Sequence, residues 1–409
     1  MTKPSVWLIN HYASTPDTGM GGRSFYFARE LHRLGHSVTL IAASFNHKLR
    51  VSKKLVDPIE EDMSYGFSVA RVKVSSYKGS FNKTRILNWF LFVFRLVRNY
   101  RNIETKPDIV VCSSPSLIAF LAAWFVAKKY RAKLIFEVRD LWPLTLQKLG
   151  GYSRLNPLII VLELVERFGY RTADLLVSNL PKAIDHIATR GGDPEQFKWI
   201  PNGYDPDLYK DECAVPSDVL NTLPKSGFVV GYTGAIGLAN AMEYFVMAAV
   251  DLKEEDVWFV LVGQGQECDK LKALAKNHNL DRVVFIDPIE KKLIPAMLKQ
   301  FDACYLGWRN DPLYDFGISP NKLPDYLLSE RPILHSFSGK GDMVEIAGAG
   351  LTVPAEDSER IARGVLELKN MSQVEREKLG MNGKSFAEAN LSFGALARDY
   401  QGCFEDLLV

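Results

Sequence analysis

Short apolar runs alternate with helix-length amphipathic runs along nearly the whole of this 409-residue chain. That alternation confines it to strand–helix–strand units built on parallel sheet. In the first half, residues 6–10, 37–43, 109–113, 133–138 and 175–178 read as strands, with helices at 23–34, 86–101, 116–130 and 158–171. A stretch rich in Pro, Asp, Asn and Gly follows at 201–224, a composition that breaks regular structure and suits a linker. The pattern then restarts, with strands at 228–233, 257–262, 283–286, 303–306, 332–335 and 351–353, helices at 238–250, 266–277, 293–300, 323–329 and 356–368, and a last helix from 386. The chain is long enough for two cores. The expected architecture is α/β, with two facing, Rossmann-like, doubly wound domains and a cleft between them. The expected boundaries are 1–205, 206–385 and a helix 386–409 that crosses back to the first domain.

The five cysteines are odd in number and far apart, with no Cys-x-x-Cys pair, which speaks against a disulfide framework or a thiolate zinc site. The chain opens on Met-Thr-Lys-Pro and runs straight into a strand, without a signal-peptide core. A cytoplasmic setting is expected. The net charge of +2 hides an imbalance: residues 1–205 hold 29 Lys+Arg against 17 Asp+Glu, and the rest 21 against 31. A first half at +12 and a second at −10 suggest that the first half meets something anionic: nucleic acid, a membrane surface or a phosphorylated acceptor.

Two glycine loops lie where a strand runs into a helix. Gly19-Met20-Gly21-Gly22-Arg23 opens the first half, and Gly231-Tyr232-Thr233-Gly234-Ala235-Ile236-Gly237-Leu238-Ala239-Asn240 opens the second. Glycines let backbone N–H groups approach a phosphate, and a helix N-terminus favours the anion. Gly21, Gly22, Arg23, Gly234, Gly237 and Asn240 are therefore candidate phosphate contacts; a plain flexible loop is the competing reading. Gly263-Gln264-Gly265 reads as a tight turn. Glu137, Arg139 and Asp140 fall at the carboxyl end of a strand, where open parallel sheets bind ligands, and are the candidate catalytic residues; a structural salt bridge is the alternative. Ser319-Pro320-Asn321-Lys322-Leu323-Pro324-Asp325 reads as a helix entry. Lys322 near a helix start wants an anion, and Asp325 can accept two hydrogen bonds from a ribose diol. Ser319 and Asn321 complete this donor-side group.

The segment 83–101 carries Arg85, Trp89, Arg95, Arg98 and Arg101 among aliphatic and aromatic residues. It is too short to span a bilayer. As a basic amphipathic helix it could lie in an anionic headgroup layer; a core helix with a basic outer face is the competing reading.

Taken together, the two-half layout, the first glycine loop, 137–143, Pro201-Asn202-Gly203, the second glycine loop and 319–326 resemble retaining glycosyltransferases of family 4, with the GT-B fold. Within that family the chain resembles N-acetyl-L-fucosamine transferases of bacterial O-antigen and capsule synthesis. The resemblance implies a UDP-linked N-acetylated sugar as donor, retention of configuration, and a polyprenyl-diphosphate-linked acceptor. It implies work at the inner face of the cell membrane, without nucleic acid. With Lys322, Arg23 and two helix termini at hand, catalysis is expected to be metal-independent, with no cofactor. It also implies that Gly21, Gly22 and Arg23 approach the donor, that Asp140 lies on the acceptor side, and that Asp325 replaces the usual ribose-binding glutamate. The sequence departs from the family pattern at Gly317, where a first glutamate is usual, and at Ala239-Asn240-Ala241, where Arg and Lys are usual. A sugar-nucleotide epimerase would instead change its sugar without an acceptor. A solute-binding or nucleic-acid-binding protein would need an export signal or a basic, aromatic-studded groove.

Overall fold

The computed structural model describes residues 3–19, 21–77, 83–210 and 213–409. The chain divides into two compact units, Met1–Pro201 with Phe393–Val409, and Asn202–Ser392. The strands of the first are β1 (Ser5–Ile9), β2 (Ser37–Ala43), β3 (Ile59–Asp62), β4 (Ser68–Val72), β5 (Ile109–Ser113), β6 (Lys133–Val138), β7 (Leu175–Ser178) and β8 (Phe197–Trp199). They form one sheet in the order β3-β4-β2-β1-β5-β6-β7-β8. Only the β3–β4 pairing is antiparallel among the described strands. The register follows from apolar residues that must be covered on both faces: Val6 lies opposite Val38 on one side and Ile109 on the other.

The strands of the second unit are β9 (Phe228–Thr233), β10 (Val257–Val262), β11 (Val283–Ile286), β12 (Ala303–Gly307), β13 (Ile333–Ser336) and β14 (Gly350–Val353). Their order is β11-β10-β9-β12-β13-β14, all parallel. Strand order reverses beside β1, at β5, and beside β9, at β12. Such reversal points open a crevice at the carboxyl ends of the strands. Residues following β1, β5 and β6 in one unit, and β9 and β12 in the other, are thereby placed for ligand contact.

The sequence reading omits β3, β4 and β8. β3 is Ile followed by three acids, β4 is a short strand with Arg71 as its fourth residue, and β8 has three residues, so none shows an apolar run. Arg71 is buried all the same, its Nη2 donating to Thr15 Oγ1 at 2.8 Å. The expected last helix is also corrected. Helix Gln373–Asn390, started by a capping box at Ser372 and Glu375, ends before Leu391-Ser392. A separate helix, Phe393–Leu408, belongs to the first unit, burying Phe393, Leu396, Tyr400 and Phe404 in the core around Phe27 and Leu31. Phe393 stacks on Tyr26 at 4.9 Å between ring centroids. The unit boundaries fall at 201–202 and 392–393 rather than at 205–206 and 385–386. All five cysteines are free. Among the described residues no helix is long and apolar enough to cross a membrane.

Candidate functional site

In the first unit the chain leaves β1 and enters helix Arg23–Arg33 through Gly21 and Gly22, both in the left-handed region at φ 68° and 98°. Only glycine adopts these angles without strain. A side-chain carbon built on Gly22 would meet no atom within 4 Å, so its backbone is open to an incoming group. Met20 lies outside the described residues.

Arg23 is buried, not open. Its Nε donates to Glu137 Oε1 at 2.9 Å and its Nη2 to the Ile200 carbonyl at 2.7 Å, while Nη1 donates to the Pro201 carbonyl. Its guanidinium lies 4.6 Å from the Phe27 ring centroid. Glu137 also accepts from the Ser113 hydroxyl and, at 2.5 Å, from the Tyr400 hydroxyl. Burial works against its charge, but Arg23, then Arg139 and these donors, hold its carboxyl well below the usual range. Arg23 and Glu137 are thus corrected: they form a buried knot tying helix Arg23–Arg33, β5, β6 and helix Phe393–Leu408 together.

Arg139 and Asp140 follow β6 and differ from Glu137. Arg139 is half-buried, and its Nε is buried without a hydrogen-bond partner among the described residues. Asp140 is exposed, yet the surrounding protein raises its carboxyl against the opposing pull of Arg139 and Lys48. Close by, Tyr12 follows β1. Its hydroxyl accepts from Arg85 Nε at 3.0 Å and Trp89 Nε1 at 2.7 Å, and Lys48 Nζ sits 5.7 Å from its ring centroid. His11 beside it is fully buried, neither ring nitrogen has a hydrogen-bond partner among the described residues, and burial, with Arg85, pushes its pKa down to about 3.

Helix Lys83–Asn99 therefore turns part of its expected membrane set inward. Trp89 is 3% exposed, and Arg85 lies over the Tyr12, Trp89 and Trp142 rings. Arg95 Nη1 donates to the Lys73 carbonyl at 2.5 Å and Arg101 Nε to the Tyr100 hydroxyl at 3.2 Å. Arg98 is exposed. The outer stripe is Lys83, Leu87, Phe90, Phe94 and Arg98: apolar in the middle, cationic at both ends. Spacings of three and four put these on one helix face.

In the second unit β9 ends at Thr233, and Gly234 turns at φ 137°. Lys322 Nζ lies 3.0 Å from where a side-chain carbon at Gly234 would stand. It sits 4.1 Å from the Tyr232 ring centroid and donates to the Tyr232 hydroxyl at 2.5 Å. Burial alone pulls its pKa down to about 7. Among the described residues no carboxylate pairs with it. A half-buried cation without a carboxylate partner among the described residues, beside an open glycine loop, is a place for an anion. Lys322 is the residue before helix Leu323–Leu327 rather than within its first turn.

The pair Gly263 and Gly265 has more than a turn's role. A side-chain carbon at either would come within 2.0 Å of the Gly234 or Ile236 carbonyl oxygen, so these glycines let one loop pack on the other. Gly237 is open, with nothing within 4 Å of an added carbon, and Asn240 ends the short turn Leu238–Asn240. That turn is held by Arg309, which the sequence reading missed. Arg309 donates to the Leu238 carbonyl at 2.8 Å and pairs with Glu243 at 2.5 Å and Glu356 at 3.0 Å. Its cue was weak, an arginine about seventy residues downstream of the loop.

Ser319, Asn321 and Asp325 are engaged within the protein. Asn202 Nδ2 donates to the Ser319 carbonyl at 2.6 Å and to Asn321 Oδ1 at 3.2 Å, and its backbone N–H donates to Ser319 Oγ at 3.1 Å. Asp325 accepts from the Tyr209 hydroxyl and from Lys291 Nζ, and lines a cavity of about 490 Å³ with Tyr204, Lys292 and Lys384. The expected open ribose-binding carboxylate is thus a partnered one. The triplet Asp205-Pro206-Asp207 is a capped turn, Asp205 accepting from the Asp207 N–H at 3.1 Å.

The comparisons agree with this layout. Residues 18–208 match the model of Glycosyltransferase Family 4, and residues 227–370 that of Glycosyl transferases group 1. The fold and these two matches define a glycosyltransferase of the GT-B fold. Glycosyl transferase WcaI of Escherichia coli (strain K12), named for colanic acid biosynthesis, is 23% identical over 284 residues, 66% of this chain and 69% of that protein. Among solved structures, sucrose-phosphate synthase from Thermosynechococcus elongatus aligns over 99% of both chains at TM-score 0.73 and 16% identity. Anabaena HepE in complex with UDP aligns over 98% of this chain and 100% of that one at TM-score 0.69 and 15% identity.

Proposed function

We propose that the chain transfers an N-acetylated sugar from a UDP-linked donor, with retention, to a lipid-diphosphate-linked acceptor in surface-polysaccharide synthesis at the inner face of the cell membrane. The observation that carries this reading is the enclosed cation Lys322 beside Gly234. As the anomeric C–O bond breaks, charge grows on the departing diphosphate. Fixed N–H dipoles and a preorganised cation oppose that charge best. The acceptor hydroxyl oxygen bonds to the anomeric carbon from the same face, and its proton passes to the departing phosphate oxygen. Lys322 supplies the positive charge, so the proposed mechanism uses no metal. HepE, whose structure is in complex with UDP, supports the choice of carrier by analogy of fold.

The test is a thermal-shift panel of nucleotide sugars. At about a hundredfold excess over Kd a ligand stabilises by about 2.7 kcal/mol, which raises the melting temperature by about 5–10 °C for a unit near 200 residues. UDP-sugars should give that shift and the corresponding ADP- and CMP-sugars should not. If no nucleotide sugar moves the transition, the donor assignment is wrong. The response should also depend on pH. Lys322 titrates near 7 without ligand, well below its ordinary 10.5. The unfolded chain thus binds more protons from about pH 7 to 10.5, and ligand-free stability gains from Lys322 as pH rises through that window. A bound diphosphate favours the charged amine, so donor binding takes up a proton and weakens above pH 7 by up to about tenfold per pH unit.

Membrane attachment is proposed through the outer stripe of helix Lys83–Asn99. Leu87, Phe90 and Phe94 are 63%, 45% and 63% exposed, with Lys83 and Arg98 at the ends for anionic headgroups. Phe90→Glu with Phe94→Glu should abolish co-sedimentation with phosphatidylglycerol vesicles and leave the melting temperature in place. Unchanged sedimentation would reject the attachment.

A further inference from the structure

The turn after the second glycine loop is assembled from distant parts of the second unit, and one side chain joins them. Arg309, two residues past β12, donates through Nε to the Leu238 carbonyl at 2.8 Å. Its Nη2 pairs with Glu243 at 2.5 Å and its Nη1 with Glu356 at 3.0 Å. Its backbone N–H donates to the Ala239 carbonyl at 3.2 Å. Gly307, at the end of β12, runs so close to the turn that a side-chain carbon there would lie 2.9 Å from the Asn240 carbonyl oxygen. The segments leaving β9 and β12 are thereby tied together where the strand order reverses.

The turn is held against local preference. Ala241, between the Leu238 and Glu243 contacts, has φ 48°, and Glu356 has φ 60°. Both are non-glycine residues in the left-handed region, which costs free energy and persists only where the surroundings enforce it. A rigid guanidinium fork can hold three acceptors at once; a single ammonium on a flexible stem is poorly suited to that. The charge of Arg309 is spent on two carboxylates, and Ala239, Asn240 and Ala241 supply no cation. What the turn offers an anion is therefore backbone. The N–H groups of Gly237 and Leu238 have no acceptor among the described residues, and nothing lies within 4 Å of a side-chain carbon added to Gly237.

We infer that Arg309 is a positioning residue for the donor's diphosphate: it holds the turn Leu238–Asn240 so that the Gly237 and Leu238 N–H groups meet the anion, and it does not touch the anion itself. This rests on the donor reading at Lys322 and deepens it. Adjacent N–H groups fixed before the ligand arrives oppose its charge without reorganising. The same groups on a loose turn must first be ordered, and that ordering is lost from the affinity. Lys322 supplies the charge and Arg309 the geometry.

The test is calorimetric titration of the full chain with UDP and with uridine, which lacks the diphosphate. Arg309→Met should weaken UDP about ten- to hundredfold, the worth of one hydrogen bond to a charged group, and leave uridine unchanged. Glu243 and Glu356 lose their counter-charge in that variant. Arg309→Met combined with Glu243→Gln and Glu356→Gln removes the repulsion while the turn stays unheld, and it serves if Arg309→Met alone folds poorly. UDP should bind this triple variant as weakly as it binds Arg309→Met. UDP affinity restored in the triple variant would mean that Arg309 only neutralises charge, and would overturn the positioning role. Equal losses for UDP and uridine would overturn it as well, since they mark a general disturbance of the unit. Wild-type UDP affinity in Arg309→Met contradicts this role alone, whereas a wild type that binds UDP no tighter than uridine contradicts the donor reading at Lys322 and this role with it.

Discussion

Lys322→Met should lower turnover about 10²- to 10³-fold and erase the UDP-induced thermal shift, while the ligand-free protein melts no lower than wild type. The first part follows from what Lys322 is placed to do. Removing one preorganised donor to a developing oxyanion costs about 2.7–4 kcal/mol in other enzymes, and Lys322 is the cation beside Gly234 that has no carboxylate of its own among the described residues. The second part follows from its surroundings. Its pKa is pulled down to about 7 by burial, so the fold gains nothing from its charge and is strained by it below that pH. Met keeps the unbranched stem and the contact with Tyr232 without the charge. The pH dependence of donor binding above pH 7 should vanish in the same variant. Turnover within a few-fold of wild type would move the leaving group elsewhere.

The opposite pattern is expected at Glu137. Glu137→Ala should lower stability by about 3–5 kcal/mol, because it leaves Arg23 buried without its counter-charge. That corresponds to a fall of about 6–20 °C in the melting temperature of the first unit. Ser113, Tyr400 and Arg23 all lose their shared acceptor in one change. Glu137→Gln should be milder, since an amide oxygen still accepts from Tyr400. The carboxyl is held from its ordinary 4.5 down to about 2, so its contribution is complete above pH 4.5 and is lost as pH falls towards 2. Calorimetry of both variants decides the matter, and a melting temperature within 2 °C of wild type for Glu137→Ala would refute the structural role.

The sheets were readable where strands are buried on both faces, as at Val6–Ile9 and Phe228–Thr233, because burial demands unbroken apolar runs. They were unreadable where an edge or near-edge strand carries charge, as in β3 and β4. The glycine loops were readable because Gly21, Gly22 and Gly234 have backbone angles that demand glycine. What each charged residue faces was not. Arg23 follows a glycine loop and Lys322 stands at a helix entry in the sequence, yet one meets a buried carboxylate 114 positions away and the other meets an aromatic ring. The same limit hid Tyr209 and Lys291, which take the Asp325 carboxylate. A helix read as a basic surface element also split, since periodicity marks two faces without saying which one is covered. Arg85 and Trp89 went in, and Phe90 and Phe94 stayed out.

The proposed mechanism requires an anion held in the second unit by Lys322 and the Gly234 loop. A crystal structure of the full chain with UDP tests it directly. Diphosphate oxygens should lie about 2.7–3.2 Å from Lys322 Nζ and from backbone N–H groups between Gly234 and Gly237. Well-ordered UDP with its diphosphate out of reach of both would contradict that mechanism.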